Sequence, residues 1–330
     1  MHPGGWWRSG EGEGSGAHVA EQFEHRPVMA SEVVDLLGPV PPGLIVDGTV
    51  GGGGHAGAIL RARSDLRLLG IDRDPAAVAA AGAALAPFGE RARIVQGGFE
   101  GVADIVGSDR SEEVVGILFD LGVSSAQLDS RVRGFSYWAD DAPLDMRMDS
   151  AQTLTAADVV NEYPEADLAA LIARNGEERY ARRIAARIVA ARPLRNTGDL
   201  VEAIKAGIPA PARRRGGHPA RRTFQAIRIE VNHELPNLAA GLDESVHLLA
   251  PEGRMLVLAY HSLEDREVKR RFTDWSRTEE PEPVPKELPR RSRIPLVRLL
   301  TRRPLRPTER EVEENPRAAS ARLRAIERLQ

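Results

Sequence analysis

Val46-Asp47-Gly48-Thr49-Val50-Gly51-Gly52-Gly53-Gly54-His55, followed by Leu69-Gly70-Ile71-Asp72, sets a glycine-rich turn between an apolar strand and a helical stretch, with an acid at each strand end. Glycine is needed in such a turn because the backbone must take positive φ and approach a ligand closely, which a β-carbon obstructs. An acid roughly twenty residues after the glycines, closing the second strand, can accept both hydroxyls of an adenosine ribose. Asp72 can also cap a helix opening at Pro75. The segment describes a nucleotide-like cofactor lying across a parallel sheet, and hence an enzyme.

The flanking sequence extends that sheet. Ala30 to Leu37 reads as a short helix, and Pro41-Pro42-Gly43 turns the chain into a strand at Leu44 to Val46. Further strands are expected at Leu66 to Ile71, Ala92 to Val95 and Val114 to Phe119, with helices at 54–63 and 75–85 between them. This spacing is that of βαβ units, which require a parallel sheet with helices on both faces. From about Arg131 the pattern turns helical, most clearly from Glu177 to Ala190, where Tyr180, Ile184 and Ile188 recur every four positions. Sheet-like sequence returns at Arg254 to Tyr260 after the turn Pro251-Glu252-Gly253, and a last strand pair is expected around Val297 to Thr301. The expected division is a Gly, Glu and Ser-rich disordered extension at 1–22, a discontinuous α/β domain at 23–130 plus 225–330, and a helical insertion at 131–224. Residues 276–292, rich in Pro and charge, read as a loop.

A chain of 330 residues with 42% hydrophobic content can bury a sizeable core in one large domain and a smaller one. No apolar run approaches the roughly 18 residues of a membrane helix, and the start, with Trp6 and Trp7 among Gly and Glu, lacks a signal-peptide core. A soluble, cytoplasmic protein is expected. The absence of cysteine excludes disulfides, thiolate nucleophiles and cysteine metal sites. A net charge of -3 conceals two basic segments: residues 209–222 hold Arg213, Arg214, Arg215, Arg221 and Arg222 with no acid, and residues 286–310 hold nine Lys or Arg against Glu287 and Glu309. Each is either a phosphate-binding surface or a solvated face.

Asp47 bears on the choice of cofactor. A carboxylate at the first strand end repels a pyrophosphate and attracts a cation. S-adenosylmethionine carries a sulfonium and an ammonium, has no phosphate, and offers Asp72 a ribose, so a methyl donor is favoured over NAD. Phe99, after Gly97-Gly98, can cover an adenine or fill the core. The fourth strand runs into Asp120-Leu121-Gly122-Val123-Ser124-Ser125, beside the place of the reactive methyl. There Asp120 can orient an acceptor amine or the donor's ammonium, Gln127 can both donate and accept, and Ser124 and Ser125 can face the substrate or cap a helix.

At this point the chain from about His25 to Gln330 resembles the bacterial small-subunit ribosomal RNA cytosine-N4 methyltransferase family. The resemblance rests on His25-Arg26-Pro27-Val28-Met29, the glycine loop from Asp47 to His55, Ile71-Asp72-Arg73-Asp74-Pro75, Asp120 to Ser125 with Gln127-Leu128-Asp129, and Arg133-Gly134-Phe135-Ser136. It continues through Pro143-Leu144-Asp145-Met146-Arg147-Met148-Asp149, Phe224-Gln225-Ala226-Ile227-Arg228-Ile229, His261-Ser262-Leu263-Glu264-Asp265-Arg266 and Glu314-Asn315-Pro316-Arg317-Ala318. Val50, Gly52 and Tyr260 depart from residues the family commonly has there, Phe in the case of Tyr260. The resemblance implies a Rossmann-like class I S-adenosylmethionine-dependent sheet with an inserted, mainly helical domain, and cofactor contacts at Gly53, Gly54, His55, Asp72, Phe99, Asp120 and Gln127. It implies methylation of the exocyclic N4 of a cytidine in the decoding centre of 16S ribosomal RNA, position 1402, with the 30S subunit or a late assembly intermediate as partner. A homodimer stays open.

Amine methylation is an in-line displacement governed by alignment and local field, and it requires no metal. Methylation at pyrimidine C5 normally proceeds through a thiolate adduct, so the lack of cysteine favours a nitrogen target. Asp120 is the leading hydrogen-bond acceptor for the amine, and His261 a second candidate catalytic group. Asp145, Glu264 and Asp265 are expected to bound the target pocket with Arg147 beside them, although Ser262 and Asp265 can equally form a capping box for a helix from Glu264 to Phe272. Tyr137 and Trp138, beside Arg131 and Arg133, can stack a flipped base, and Arg221 and Arg222 can hold the RNA backbone. An NAD-dependent oxidoreductase and a non-catalytic RNA-binding assembly protein are the alternatives.

Overall fold

The computed structural model describes residues 27–107, 112–123, 132–214, 217–279 and 292–330. The expected extension at 1–22, and residues 280–291 of the expected loop, lie outside them. The chain opens with α1 (Ala30–Leu37), β1 (Gly43–Asp47), α2 (Gly54–Ala62), β2 (Leu66–Asp72), α3 (Pro75–Leu85), β3 (Ala92–Gln96), α4 (Val102–Gly107) and β4 (Val114–Asp120). A helical stretch follows: α5 (Ala156–Glu162), α6 (Glu165–Gly176), α7 (Ala181–Ala190), α8 (Thr197–Gly207), α9 (Ala210–Arg213) and α10 (Arg221–Val231). The chain then returns through α11 (Glu234–Leu248), β5 (Leu249–Ala259), α12 (Ser262–Trp275), β6 (Val297–Leu299), α13 (Glu309–Glu314) and β7 (Arg322–Arg328).

The seven strands form one sheet in the order β3-β2-β1-β4-β5-β7-β6. The first five are mutually parallel, and β7 runs antiparallel to both β5 and β6. This is a Rossmann-like sheet with an antiparallel strand inserted near its edge. The strand order reverses between β1 and β4, and the crevice beyond the carboxyl ends of those strands is where an open α/β sheet takes its ligand. Pleating sends alternate residues to opposite faces, each covered by its own apolar layer. Ile45, Leu68, Leu256 and Leu258 pack in one layer, while Val46, Leu69, Met255 and Val257 pack in the other. Strands buried on both faces lose the polar alternation of a half-exposed sheet, which is why they read as plain apolar runs.

Three elements differ from expectation. Of the strand pair expected around Val297 to Thr301, β6 lies there and its partner β7 lies at Arg322–Arg328, after α13. The turn at Pro251-Glu252-Gly253 lies inside β5 as a bulge: β4 steps from Val114 to Gly116 while β5 steps from Leu249 to Arg254, with Glu252 at φ 66°. The helix expected from Glu177 begins at Ala181, because Glu177 is the left-handed cap that ends α6, at φ 48°.

The helical stretch has its own core, with Val159, Leu171, Ile184, Ile188, Ile204 and Phe224 among its members. Ile227 and Val231 belong to the same core, so the boundary expected at 224 falls inside α10. Asn232, just past α10 and fully buried, stitches this core to the loop before α5. Its Nδ2 donates to the Met146 carbonyl (2.8 Å) and its Oδ1 accepts from the Met148 amide (2.7 Å). Because buried backbone groups left unpaired are costly, Asn232→Ala is expected to destabilise the protein by about 3 kcal/mol, measurable by urea unfolding.

Candidate active site

The acids Asp47, Asp72 and Asp120 close β1, β2 and β4 at the carboxyl edge of the sheet. The glycine turn threads between them. Gly53 stands at φ 82° as the cap of α2, a conformation open to glycine without strain. Gly48 answers a close approach: a Cβ there would lie 2.3 Å from the Phe119 ring. The Val50 amide donates to the Ile71 carbonyl (3.0 Å), and the Gly51 amide to Asp72 Oδ2 (3.0 Å), so the loop is tied to the end of β2.

Asp72 also accepts from the Asp74 amide at Oδ1 (2.9 Å), and the helix cap is Asp74 itself, which accepts from Ala76. Burial pushes the Asp72 carboxyl above the usual carboxylate range against the pull of those amides. Asp47 is buried and accepts only the Thr49 amide among the described contacts (3.1 Å). Burial, aided by the charges of Asp120 and Asp72 and opposed by His55, raises its carboxyl to about 7. The acid expected to act as a fixed negative charge therefore titrates near neutrality. Asp47 thus feels the charges of both Asp120 and Asp72, and such a set of carboxylates is suited to a cation. The sulfonium and ammonium of S-adenosylmethionine would suit such a set, and the first turn of α2, which has no side-chain cap among the described residues, would have amides for its carboxylate.

Asp120 occupies the centre. Its amide donates to Thr49 Oγ1 (2.6 Å), its Oδ1 accepts the Tyr260 hydroxyl (2.7 Å), and its Oδ2 lies 3.5 Å from His55 Nδ1. The phenol of Tyr260 is itself pushed up by burial and by the Asp120 charge, so it stays a donor. In sequence Tyr260 stands out only as a departure, and Thr49 not at all. A hydroxyl two residues after the acid that ends β1, and another directly after β5, were the available signals.

Phe99 is half-buried, 5.0 Å from Phe119 between ring centroids, against α11 where Gly241 makes room for it; Arg73 lies over its ring at 6.0 Å. One side of the ring thus serves the core. Ser124, Ser125 and Gln127 lie outside the described residues.

Several of the expected substrate contacts are engaged by other parts of the chain. Arg133 binds Asp74 (3.1 Å) and the carbonyls of Arg147 (2.7 Å) and Met148 (3.0 Å), pinning the loop before α5 to the cofactor edge. Arg147 forks onto Asp145 through Nε (3.0 Å) and Nη2 (2.7 Å), so the two satisfy one another. Burial raises Asp145, but Arg147 more than offsets it and holds the carboxyl below its ordinary value. Arg222 donates to the Glu177 carbonyl (3.0 Å), whereas Arg221 is exposed. Asp265 accepts from Arg324 (2.7 Å) and Arg322 (3.3 Å), which ties α12 to β7.

The capping box of α12 is formed by His261 and Glu264, one residue before the pair expected. Glu264 accepts the amides of Tyr260 (2.8 Å) and His261 (3.2 Å), and His261 Nδ1 accepts the Glu264 amide (3.3 Å). His261 is therefore held as a cap. Glu234, His261 and Glu264 bring ligand-type atoms within 4.8 Å of one another, yet Arg228 forks onto both oxygens of Glu234 (2.7 Å each), so a guanidinium already supplies the positive charge.

Tyr137 and Trp138 do meet, joined by His218, a residue that no motif in the sequence marks. Tyr137 stacks on His218 with centroids 4.6 Å apart and planes 10° apart, and Trp138 lies 4.6 Å from the same ring while remaining 74% exposed. Burial and nearby Lys205 lower the His218 pKa, which keeps this ring neutral for stacking.

Comparison with known proteins bears on what this edge does. A protein of Symbiobacterium thermophilum named ribosomal RNA small subunit methyltransferase H is 51% identical over 314 residues, which cover 93% of this chain and 98% of that one. One of the same name from Thermobifida fusca is 51% identical over 310 residues, covering 92% and 93%. The solved structure of a rRNA methylase from Streptococcus thermophilus aligns over 91% of this chain and 94% of its own, at 9% identity and a TM-score of 0.39. The description of the MraW methylase family matches residues 22–329, and with half the sequence shared with relatives along nearly their whole length, the chain belongs to that family.

Proposed function

We propose that this protein transfers the methyl group of S-adenosylmethionine to the exocyclic N4 of a cytidine in the decoding centre of 16S ribosomal RNA, position 1402, within the 30S subunit or a late assembly intermediate. The observation that carries the donor is the convergence of Asp47, Asp72 and Asp120: a pyrophosphate there would face three acids, whereas a sulfonium relieves their repulsion. The acceptor class is supported by the relatives' names and by the absence of cysteine, which leaves a pyrimidine-carbon route without its thiolate.

In this reading Asp72 takes the ribose hydroxyls and Asp120 faces the reacting centre, steadied by Tyr260 and Thr49. The bound donor supplies an electrophilic methyl. The amine's lone pair is delocalised into the cytosine ring, and a carboxylate accepting its N–H localises that pair on nitrogen as charge develops. Calorimetric titration tests the donor. S-adenosylmethionine and its demethylated product are expected to bind, and NADH is not; NADH binding in their place would overturn the reading.

The base must leave its stack to reach Asp120, at a cost of about a few kcal/mol that RNA contacts offset. Trp138 on its His218 and Tyr137 support is the exposed stacking surface, and the exposed side chains of Arg214, Arg221, Arg302, Arg303 and Arg306 supply charge. Trp138→Ala is expected to weaken RNA binding about 10- to 100-fold in a filter-binding assay, as loss of one stacked base does, with cofactor affinity unchanged.

A further inference from the structure

Methylation of an amine leaves the nitrogen with a surplus proton, and the site must carry it away. His55, the second residue of α2, is buried, and its Nε2 lies 2.9 Å from the Val28 carbonyl oxygen. A carbonyl can only accept, so Nε2 holds a hydrogen in both the neutral and the charged ring. In the neutral ring Nδ1 is then a bare lone pair, and it points at Asp120 Oδ2 from 3.5 Å. Two acceptors face each other favourably only with a proton between them. The other carboxylate oxygen is engaged by Tyr260, which fixes which oxygen turns toward His55.

We propose that Asp120 and His55 form a proton relay: the carboxylate takes the proton released by the methylated amine, and a proton passes from Oδ2 to His55 Nδ1. The inference rests on the reading of the site as an amine methyltransferase. As the nitrogen bonds the methyl carbon, the carbon–sulfur bond breaks with its electron pair on sulfur. The amine then gives one proton to Asp120, Asp120 gives one to His55, and the positive charge that entered with the donor ends on the imidazolium. Among the titratable groups around the pair, Asp47 from β1 faces both His55 and Asp120 and is itself faced by Asp72 from β2, while Glu264 from α12 and Glu311 from α13 act on Tyr260 beyond β5; Glu311 also accepts the amide of Met29 beside Val28 (2.6 Å).

His55 acts through Asp120 and is a positioning and proton-holding residue. Its test is His55→Gln, whose amide nitrogen can still donate to Val28 while its oxygen cannot hold a proton. With donor and RNA saturating, the single-turnover rate is expected to fall about 100-fold. The dependence of rate on pH is expected to differ in the variant, which lacks the ring that takes up the proton. Nitrogen-15 NMR of the wild-type imidazole is expected to show the neutral ring protonated at Nε2. A variant with the wild-type pH profile and a rate within threefold of wild type would overturn the relay, as would a neutral ring protonated at Nδ1. Label recovered on an atom other than cytidine N4, with transfer still dependent on His55 in both rate and pH profile, would overturn the acceptor assignment and sustain the relay.

Discussion

Asp47→Asn is expected to make the ligand-free protein more stable at pH 8.5 and a weaker binder of S-adenosylmethionine. The Asp47 carboxyl, at about 7 in the folded chain against 3.8 unfolded, binds its proton more tightly when folded. Its contribution to stability is therefore fully present below about pH 4 and is lost as pH rises through 7, where an ionised, buried carboxylate remains. Asparagine mimics the protonated form and can still accept the Thr49 amide. The gain should be on the order of 3–4 kcal/mol at pH 8.5 and shrink to under about 1 kcal/mol at pH 4, read from urea unfolding at the two pH values. A cationic ligand favours the ionised form, so wild-type affinity for S-adenosylmethionine should rise about tenfold between pH 6 and 8, with proton release. The variant should lose that slope. Equal stability of the two proteins at pH 8.5 would show that Asp47 carries no such strain.

Asp120→Asn is expected to lower the single-turnover rate about 10²- to 10³-fold with the donor saturating, the range for loss of a preorganised charge and proton acceptor. The substitution keeps the Tyr260 hydrogen bond and the size of the side chain, so the fold should be undisturbed. Rapid-quench kinetics on labelled RNA separates this from weakened donor binding. His261→Ala makes the contrast. Since His261 caps α12 and shares its box with Glu264, its loss should appear in stability, by about 1 kcal/mol, before it appears in the rate at saturation.

The sheet was legible because its strands are short apolar runs bounded by turn residues, and α1 is read residue for residue from Ala30 to Leu37. The βαβ spacing then leaves one place for a ligand, the edge carrying Asp47, Asp72 and Asp120. What escaped were features in which an ordinary residue takes an unusual conformation or an unusual partner. Glu177 continues a helical pattern in sequence but sits in the left-handed region and ends α6, where it receives Ser262 and Arg266 from α12. Histidine is seldom the cap of a helix, so the box was sought one residue late, at Ser262. Arg133, Asp145, Arg147 and Asp265 are charged residues expected on the substrate side, and in the structure each pairs with a partner distant in sequence or in a local fork that charge patterning cannot distinguish from an open site. The joining of Asp120, Tyr260 and His55 depends on two strand ends and a helix start coming together, which no local pattern encodes.

The most direct measurement of the central claim is transfer of tritiated methyl from S-adenosylmethionine to 30S subunits and to free 16S RNA lacking the modification, followed by nucleoside analysis. Label in N4-methylcytidine from either substrate, abolished or greatly slowed by Asp120→Asn, is the predicted result. Label in another nucleoside, or none in either substrate from a protein that binds the donor, would contradict it.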